Sequence, residues 1–197
     1  MPALARPRAR KRQTKRTELL RPLPLAMKKS TSLSVLLLVL LAIGASHVGW
    51  VRRDNGMLLD IDGREIDAAG WTQDQWTRLT RSCQDVQRLE PQSARYQWAT
   101  SLIAAYSPPQ SATVRLAGVW AMDTWALAEA EFPDLLPAVV LMDFSGATPR
   151  IVSHAVWSGY TKPWKAAPFI RNYLLRQVPD LPPPLAACFD PQSSSFQ

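Results

Sequence analysis

The chain has 197 residues, 47% hydrophobic and 20% charged, enough apolar content for one domain with a core and too much for a wholly disordered polymer. Its net charge of +7 resides in the leader: residues 1–29 hold ten Lys or Arg against one acid, Glu18, whereas the remainder holds thirteen against fifteen. A near-neutral body lacks the concentrated basic face of a nucleic-acid-binding domain, so no nucleic acid is expected as a partner.

Residues 1–26, with "PRARKRQTKR" and "RPLPLA", have no apolar periodicity and read as disordered. Met27-Lys28-Lys29 would make an ordinary start for an exported protein, so translation from Met27 is one reading of this stretch. A contact with nucleic acid or anionic lipid on the cytoplasmic side is the other. Residues 30–51 contain no Lys, Arg, Asp or Glu. As a helix these residues would extend about 33 Å, close to a bilayer core of about 30 Å. The strongly apolar part, Leu33 to Ile43, is shorter and resembles a signal-peptide core. Ala42 with Gly44, or Gly44 with Ser46, has cleavage-site spacing; Trp50 and Arg52-Arg53 suit the far interface of an uncleaved anchor. Both readings place residues 52–197 outside the cytoplasm, in the periplasm or beyond.

In "MLLDIDGREID" (57–67), Asp62-Gly63 predicts the tight turn of a short hairpin. A helix is expected next, opened by a capping box of Thr72 with Gln75. Its buried stripe would be Trp76, Leu79, Cys83, Val86 and Leu89. A second helix over 94–106 would turn Tyr96, Ala99, Leu102, Ile103 and Tyr106 inward, before Pro108-Pro109. Four β-rich runs follow, about 112–120, 124–132, 138–144 and 149–157. Turns at Met122-Asp123 and Ser145-Gly146 predict an antiparallel meander. A closing helix over 168–178, with Pro168 at its first position, would lay Phe169, Ile170, Tyr173 and Leu174 on the sheet. Residues 179–197 read as a proline-rich tail.

The expected fold is therefore α+β: a signal or anchor helix, two helices, a four-stranded antiparallel meander and a closing helix, with 52–178 as the extracytoplasmic domain. This order of elements resembles that of small cystatin-like and nuclear-transport-factor-like domains, where helices pack on one side of a curved sheet. The likeness is one of element order. Cys83 and Cys188, the only cysteines, would form a disulfide in an oxidising compartment; a buried thiol at Cys83 is the other reading.

The sequence holds no G-x-S-x-G, H-E-x-x-H, P-loop, G-x-G-x-x-G or C-x-x-C pattern, and no cofactor or metal is expected. With His47 at the end of the apolar segment, His154 is the one imidazole available for general base chemistry in the domain. Asp143 or Glu131 on neighbouring strands would be its carboxylate. Alternation would put His154 on a face with Val152 and Val156, or with a polar flank if a bulge intervenes. Glu129 and Glu131 share a face; two carboxylates so placed can do acid/base work, but a solvated sheet face is the expected reading. "DIDG" at 60–63 fails the calcium-loop pattern and reads as a turn.

The densest cluster is aromatic and basic: Trp157, Tyr160, Lys162, Trp164 and Lys165, followed by Arg171 and Arg176. Flat aromatic faces stack on sugars, and neighbouring cations suit anionic groups. Equally, Trp157 and Trp164 could pin the loop to the core while the lysines snorkel outward. The function expected is a non-catalytic binding module of the cell envelope, its partner an envelope protein or glycan and, through residues 30–51, the membrane. An envelope hydrolase using His154 and an accessory subunit of a membrane complex are the alternatives.

Overall fold

The computed structural model describes residues 29–196. The basic leader and the Met27 start lie outside the described residues. The chain divides into two units, 1–43 and 44–197. The described part of the first is helix α1 (Lys29–Ser46), which runs on into the second. Its large apolar side chains from Leu33 to Ile43 are all exposed, giving a helix with no polar stripe. No helix among the described residues is long and apolar enough to cross a membrane. Beyond Ser46 the backbone becomes a strand, so Trp50, expected at the far end of the apolar segment, lies on β1 (Val48–Arg53).

The fold is α+β with two antiparallel sheets. The first pairs β1 with β2 (Gly56–Ile61) and β2 with β3 (Arg64–Ile66). The anticipated turn joins β2 to β3. Asp62 and Gly63 have φ of 53° and 80°, the left-handed pair that a tight hairpin requires. Asp60 Oδ1 accepts from the Gly63 N–H at 2.7 Å, so the acids of "DIDG" build the turn.

Helix α2 (Ala68–Thr80) begins earlier than the sequence suggested. Its cap is Asp67, whose Oδ1 accepts from the Gly70 N–H at 2.7 Å. Thr72 instead bonds back to the Ala68 and Ala69 carbonyls inside the helix. The expected stripe is inverted: Trp76 and Leu79 are 69% and 81% exposed, and Cys83, Val86 and Leu89 lie past the helix end. Gly70 and Asp74 are buried in their place. The reason is electrostatic: Asp74 meets Arg171 at 3.1 Å and Arg78 at 3.0 Å, which offsets burying its charge.

The main sheet has five strands where four were expected. β4 (Gln87–Arg88), β5 (Arg115–Met122), β6 (Trp125–Glu131), β7 (Ala138–Asp143) and β8 (Arg150–Ser158) pair in chain order. The extra strand is short, Gln87 and Arg88 pairing with Ala121 and Trp120. The four longer strands fall where the β-rich runs put them. Alternation on the central strands splits the core. Leu127, Val139 and Leu141 point to one face; Ala126, Ala128, Val140 and Met142 point to the other.

Helix α3 (Ala94–Ala104) covers the second face through Ala99 and Ile103. Tyr106, expected to point inward, is exposed beyond the helix end. Helix α4 (Ala166–Gln177) covers the first face with Ile170 and Leu174, flanked by Phe169 and Tyr173 as anticipated. It opens at Ala166, so Pro168 takes the third helical position, where an N–H still lacks a helical acceptor. Helices thus flank the main sheet on both faces, unlike the one-sided packing implied by the likeness in element order. The proline-rich segment after 178 is built into the first-face core through Leu181, Leu185, Phe189 and Phe196, and contains helix α5 (Pro183–Cys188). Cys188 is disulfide-bonded to Cys83, with Cα atoms 5.8 Å apart.

Candidate functional site

His154 is exposed on β8, beside a register shift opposite Val140–Met142. The shift breaks simple alternation, as the alternative with a bulge anticipated. Val152 and Ala155 both pack with the first-face core, while Val156 packs with the second. His154 therefore shares no continuous face with Val152 and Val156. Among the described residues, no hydrogen bond or ion pair joins its imidazole to Asp143 or Glu131.

Both acids are engaged elsewhere. Asp143 accepts from the Ser145 N–H at 2.8 Å and is ion-paired to Arg150 at 2.9 Å. Bonds from Ser145, then Arg150, lower its pKa to about 2, which makes it a poor proton acceptor at neutral pH. Glu131, paired with Arg115, lines an open cleft of about 440 Å³. The Ser193 hydroxyl and then Arg115 hold its carboxyl below the usual glutamate range, against some desolvation.

Its neighbour Glu129, expected to be solvated, is fully buried. The two carboxylate oxygens accept from the Gln192 and Ser193 N–H groups, each at 2.8 Å. Burial nonetheless raises its pKa, the two backbone bonds opposing that shift. Glu129 is thus a clasp for the C-terminal segment. No group of three or more His, Cys, Asp or Glu among the described residues could hold a metal ion.

The aromatic-basic cluster is divided by the fold. Trp157 is a core pin, edge-on to Phe169 at 6.1 Å and tilted on Phe196 at 5.5 Å. Arg171 is buried, donating to Asp74 at 3.1 Å and twice to the Phe189 carbonyl at 3.0 and 2.7 Å, and so is structural. Tyr160, Lys162 and Lys165 are exposed. Trp164 differs from all of these. Half-buried, it stacks on Phe169 with ring centroids 6.4 Å apart and planes 22° apart, and it meets Gly56 in the β1–β2 turn. Gly56 has φ of 139°, a conformation other residues rarely adopt, and it lies against the edge of the indole.

Trp164 forms a wall of a groove of about 160 Å³ between the β1–β2 turn, the start of α2 and α4. Its polar lining includes Gln73, Asn172, Arg176 and Asp67. Gln73 and Asn172 face each other from α2 and α4 with their amides 3.4 Å apart. The exposed Arg176 donates one bond back to the Asn172 carbonyl at 3.0 Å, and its guanidinium has further donors to offer. Asp67 braces the groove: besides capping α2, its Oδ2 accepts from the Lys165 N–H at 2.9 Å. The arrangement supplies an aromatic plane, two amides and one cation beside the Asp67 carboxylate, whose two oxygens already accept from Gly70 and Lys165.

A second cavity of about 290 Å³ lies between α3 and the second face of the sheet, lined by Ile103, Phe132, Leu136, Val140, Ile151 and Val156 among others. Among the described residues, no charged one lines it.

Sequence reasoning singled out Trp164 and Arg176 but missed Asp67, Gln73, Asn172 and Gly56. An acid followed by a helical run was a readable signal for Asp67 as a cap. Gln73 and Asn172 lie 99 residues apart and give no local signal. Comparison with known proteins finds no matching family model, no matching curated protein and no matching solved structure.

Proposed function

We propose that this chain is an exported, non-catalytic binding module of the cell envelope that holds an acidic glycan in the Trp164 groove. The observation that carries the reading is the composition of that groove. Trp164 offers a flat apolar ring, Gln73 and Asn172 offer amides for hydroxyl groups, and Arg176 offers a guanidinium for a carboxylate. A groove of about 160 Å³ suits a single sugar ring or chain end, with the rest of the polymer outside.

Placement outside the cytoplasm is supported by the apolar helix α1 behind a basic leader and by the Cys83–Cys188 disulfide. A hydrolase built on His154 draws no support from carboxylates already committed to Arg150 and Arg115. The test is retention of the purified chain on immobilised acidic and neutral glycans. Acidic glycans should retain the chain, and Trp164→Ala should abolish retention without loss of fold. Equal retention of folded Trp164→Ala would contradict the reading.

A further inference from the structure

The register of the three-stranded sheet assigns its side chains to two unlike faces. Val48 pairs with Ile61, Trp50 with Leu59 and Arg52 with Met57; across the next ladder Leu59 pairs with Ile66 and Ile61 with Arg64. Directly paired residues point the same way, so Val48, Trp50, Met57, Leu59, Ile61 and Ile66 share one face with Arg52 and Arg64. That face contains six apolar residues, two cations and no acid. The acids Asp60 and Glu65 belong to the opposite face, where Glu65 pairs with Arg53 and where Leu58 is fully buried.

The burial is the reverse of what an ordinary half-covered sheet shows. Trp50 and Met57 are 64% and 54% exposed, Val48 and Ile66 are also exposed, and only Leu59 and Ile61 are half-covered. A contiguous apolar patch rimmed by charge marks an interaction surface. We infer that this face rests on the surface of an anionic bilayer.

Two observations choose a bilayer over other occupants. The first is chain continuity: α1, apolar on every side from Leu33 to Ile43, ends at Ser46, and β1 begins at Val48. A helix without a polar stripe calls for an apolar medium, and a single residue, His47, links its end to β1. The second is charge: an indole flanked by arginines, without an acid among them, suits the headgroup layer of anionic lipid. Shallow contact of this kind requires no membrane-crossing helix. The face shares Met57 with the lining of the Trp164 groove, but Trp50, Val48 and Ile66, on which the inference rests, lie outside that lining.

Because the native cysteines are bonded to each other, an introduced cysteine provides a unique thiol for labelling. The full chain carrying Val48→Cys or Ile66→Cys is labelled with an environment-sensitive dye and mixed with vesicles of phosphatidylcholine and phosphatidylglycerol. Ser153→Cys, exposed on β8, is the reference position. On vesicle-bound chain both face labels should shift to the blue and lose access to iodide several-fold, while the Ser153 label keeps its access. Added Arg52→Glu and Arg64→Glu changes should restore iodide access at the face even where α1 keeps the chain on the vesicle. Face labels as accessible as Ser153 on bound chain would overturn the inference. So would face labels already shielded before vesicles are added, in a chain that sediments as a dimer, since a second copy would then be the occupant.

Discussion

Asp67 and Lys165 are 98 residues apart, yet the Asp67 carboxylate accepts the Lys165 backbone N–H at 2.9 Å. The other oxygen of the same carboxylate caps α2 through Gly70. One buried side chain therefore sets both the start of α2 and the course of the loop that presents Trp164. Removing it should be costly. Asp67→Ala forfeits a cap and strands a partly buried N–H, together about 2–4 kcal/mol. Gly70→Ala should approach the same loss, because its Cβ would run into the Asp67 carboxylate. Urea denaturation checks both; a loss below about 1 kcal/mol at Asp67, no more than a typical lost cap alone, would show that the loop is held by other contacts.

Trp157 and Trp164 should separate in a stability measurement. Trp157 packs into the first-face core against Phe169 and Phe196, so Trp157→Ala should cost about 3–5 kcal/mol. Trp164 buries only the part of its ring facing Phe169 and Gly56, and its truncation should cost about 1–2 kcal/mol. Equal thermal shifts for the two variants would make Trp164 a second pin.

The disulfide spans a sequence separation of 105 residues. In the chain-entropy picture, closing a loop of that length contributes up to about 4–5 kcal/mol by restricting the unfolded chain. Cys83→Ser with Cys188→Ser should lower the denaturation midpoint accordingly. The C-terminal segment should nevertheless stay docked at low denaturant, because Leu181, Leu185 and Phe189 remain buried. Thiol labelling of unreduced, denatured protein should find no free thiol. Two labelled cysteines would refute the bridge.

Glu129 gives a pH dependence of definite sign. Burial raises its folded pKa, so the folded state holds the proton more tightly than the unfolded state does. Its favourable contribution is complete below the ordinary glutamate pKa and declines as pH rises through the elevated folded value. Measured against Glu129→Gln, which does not titrate, the native chain should lose relative stability over that rising interval. Denaturation at a series of pH values checks this. A relative gain with rising pH would mean that the Gln192 and Ser193 donors outweigh desolvation.

The main sheet was readable in the sequence because its information is local. β-branched and aromatic runs end at turn residues, and Asp123, in the turn between β5 and β6, does adopt a positive φ of 52°. The same holds for the Asp62-Gly63 hairpin. α2 was misread because helical spacing shows which residues share a face but not which face is buried. Trp76 and Leu79 share the outer face because Asp74, on the inner one, finds Arg171 from α4, a partner 97 residues away. The same distance hid Glu129's clasp on Gln192 and Ser193. The prolines of the last segment suggest a tail, yet Leu181, Leu185 and Phe189 recur at four-residue spacing and fill the core. Of the candidate site, the aromatic wall and the cation were legible; the amide pair and the brace, brought together only by tertiary folding, were not.

The central claim is that Trp164 and Arg176 act together on an acidic sugar. Its most direct test follows the Trp164 indole N–H in a nitrogen-15 correlation spectrum, identified by its loss in Trp164→Phe, during titration with an oligoglucuronate and, separately, a neutral oligoglucose. The account predicts a saturable shift of the Trp164 signal with the acidic sugar, little change with the neutral one, and loss of the response in Arg176→Gln. An unmoved Trp164 signal, or a response that Arg176→Gln leaves intact, would contradict it.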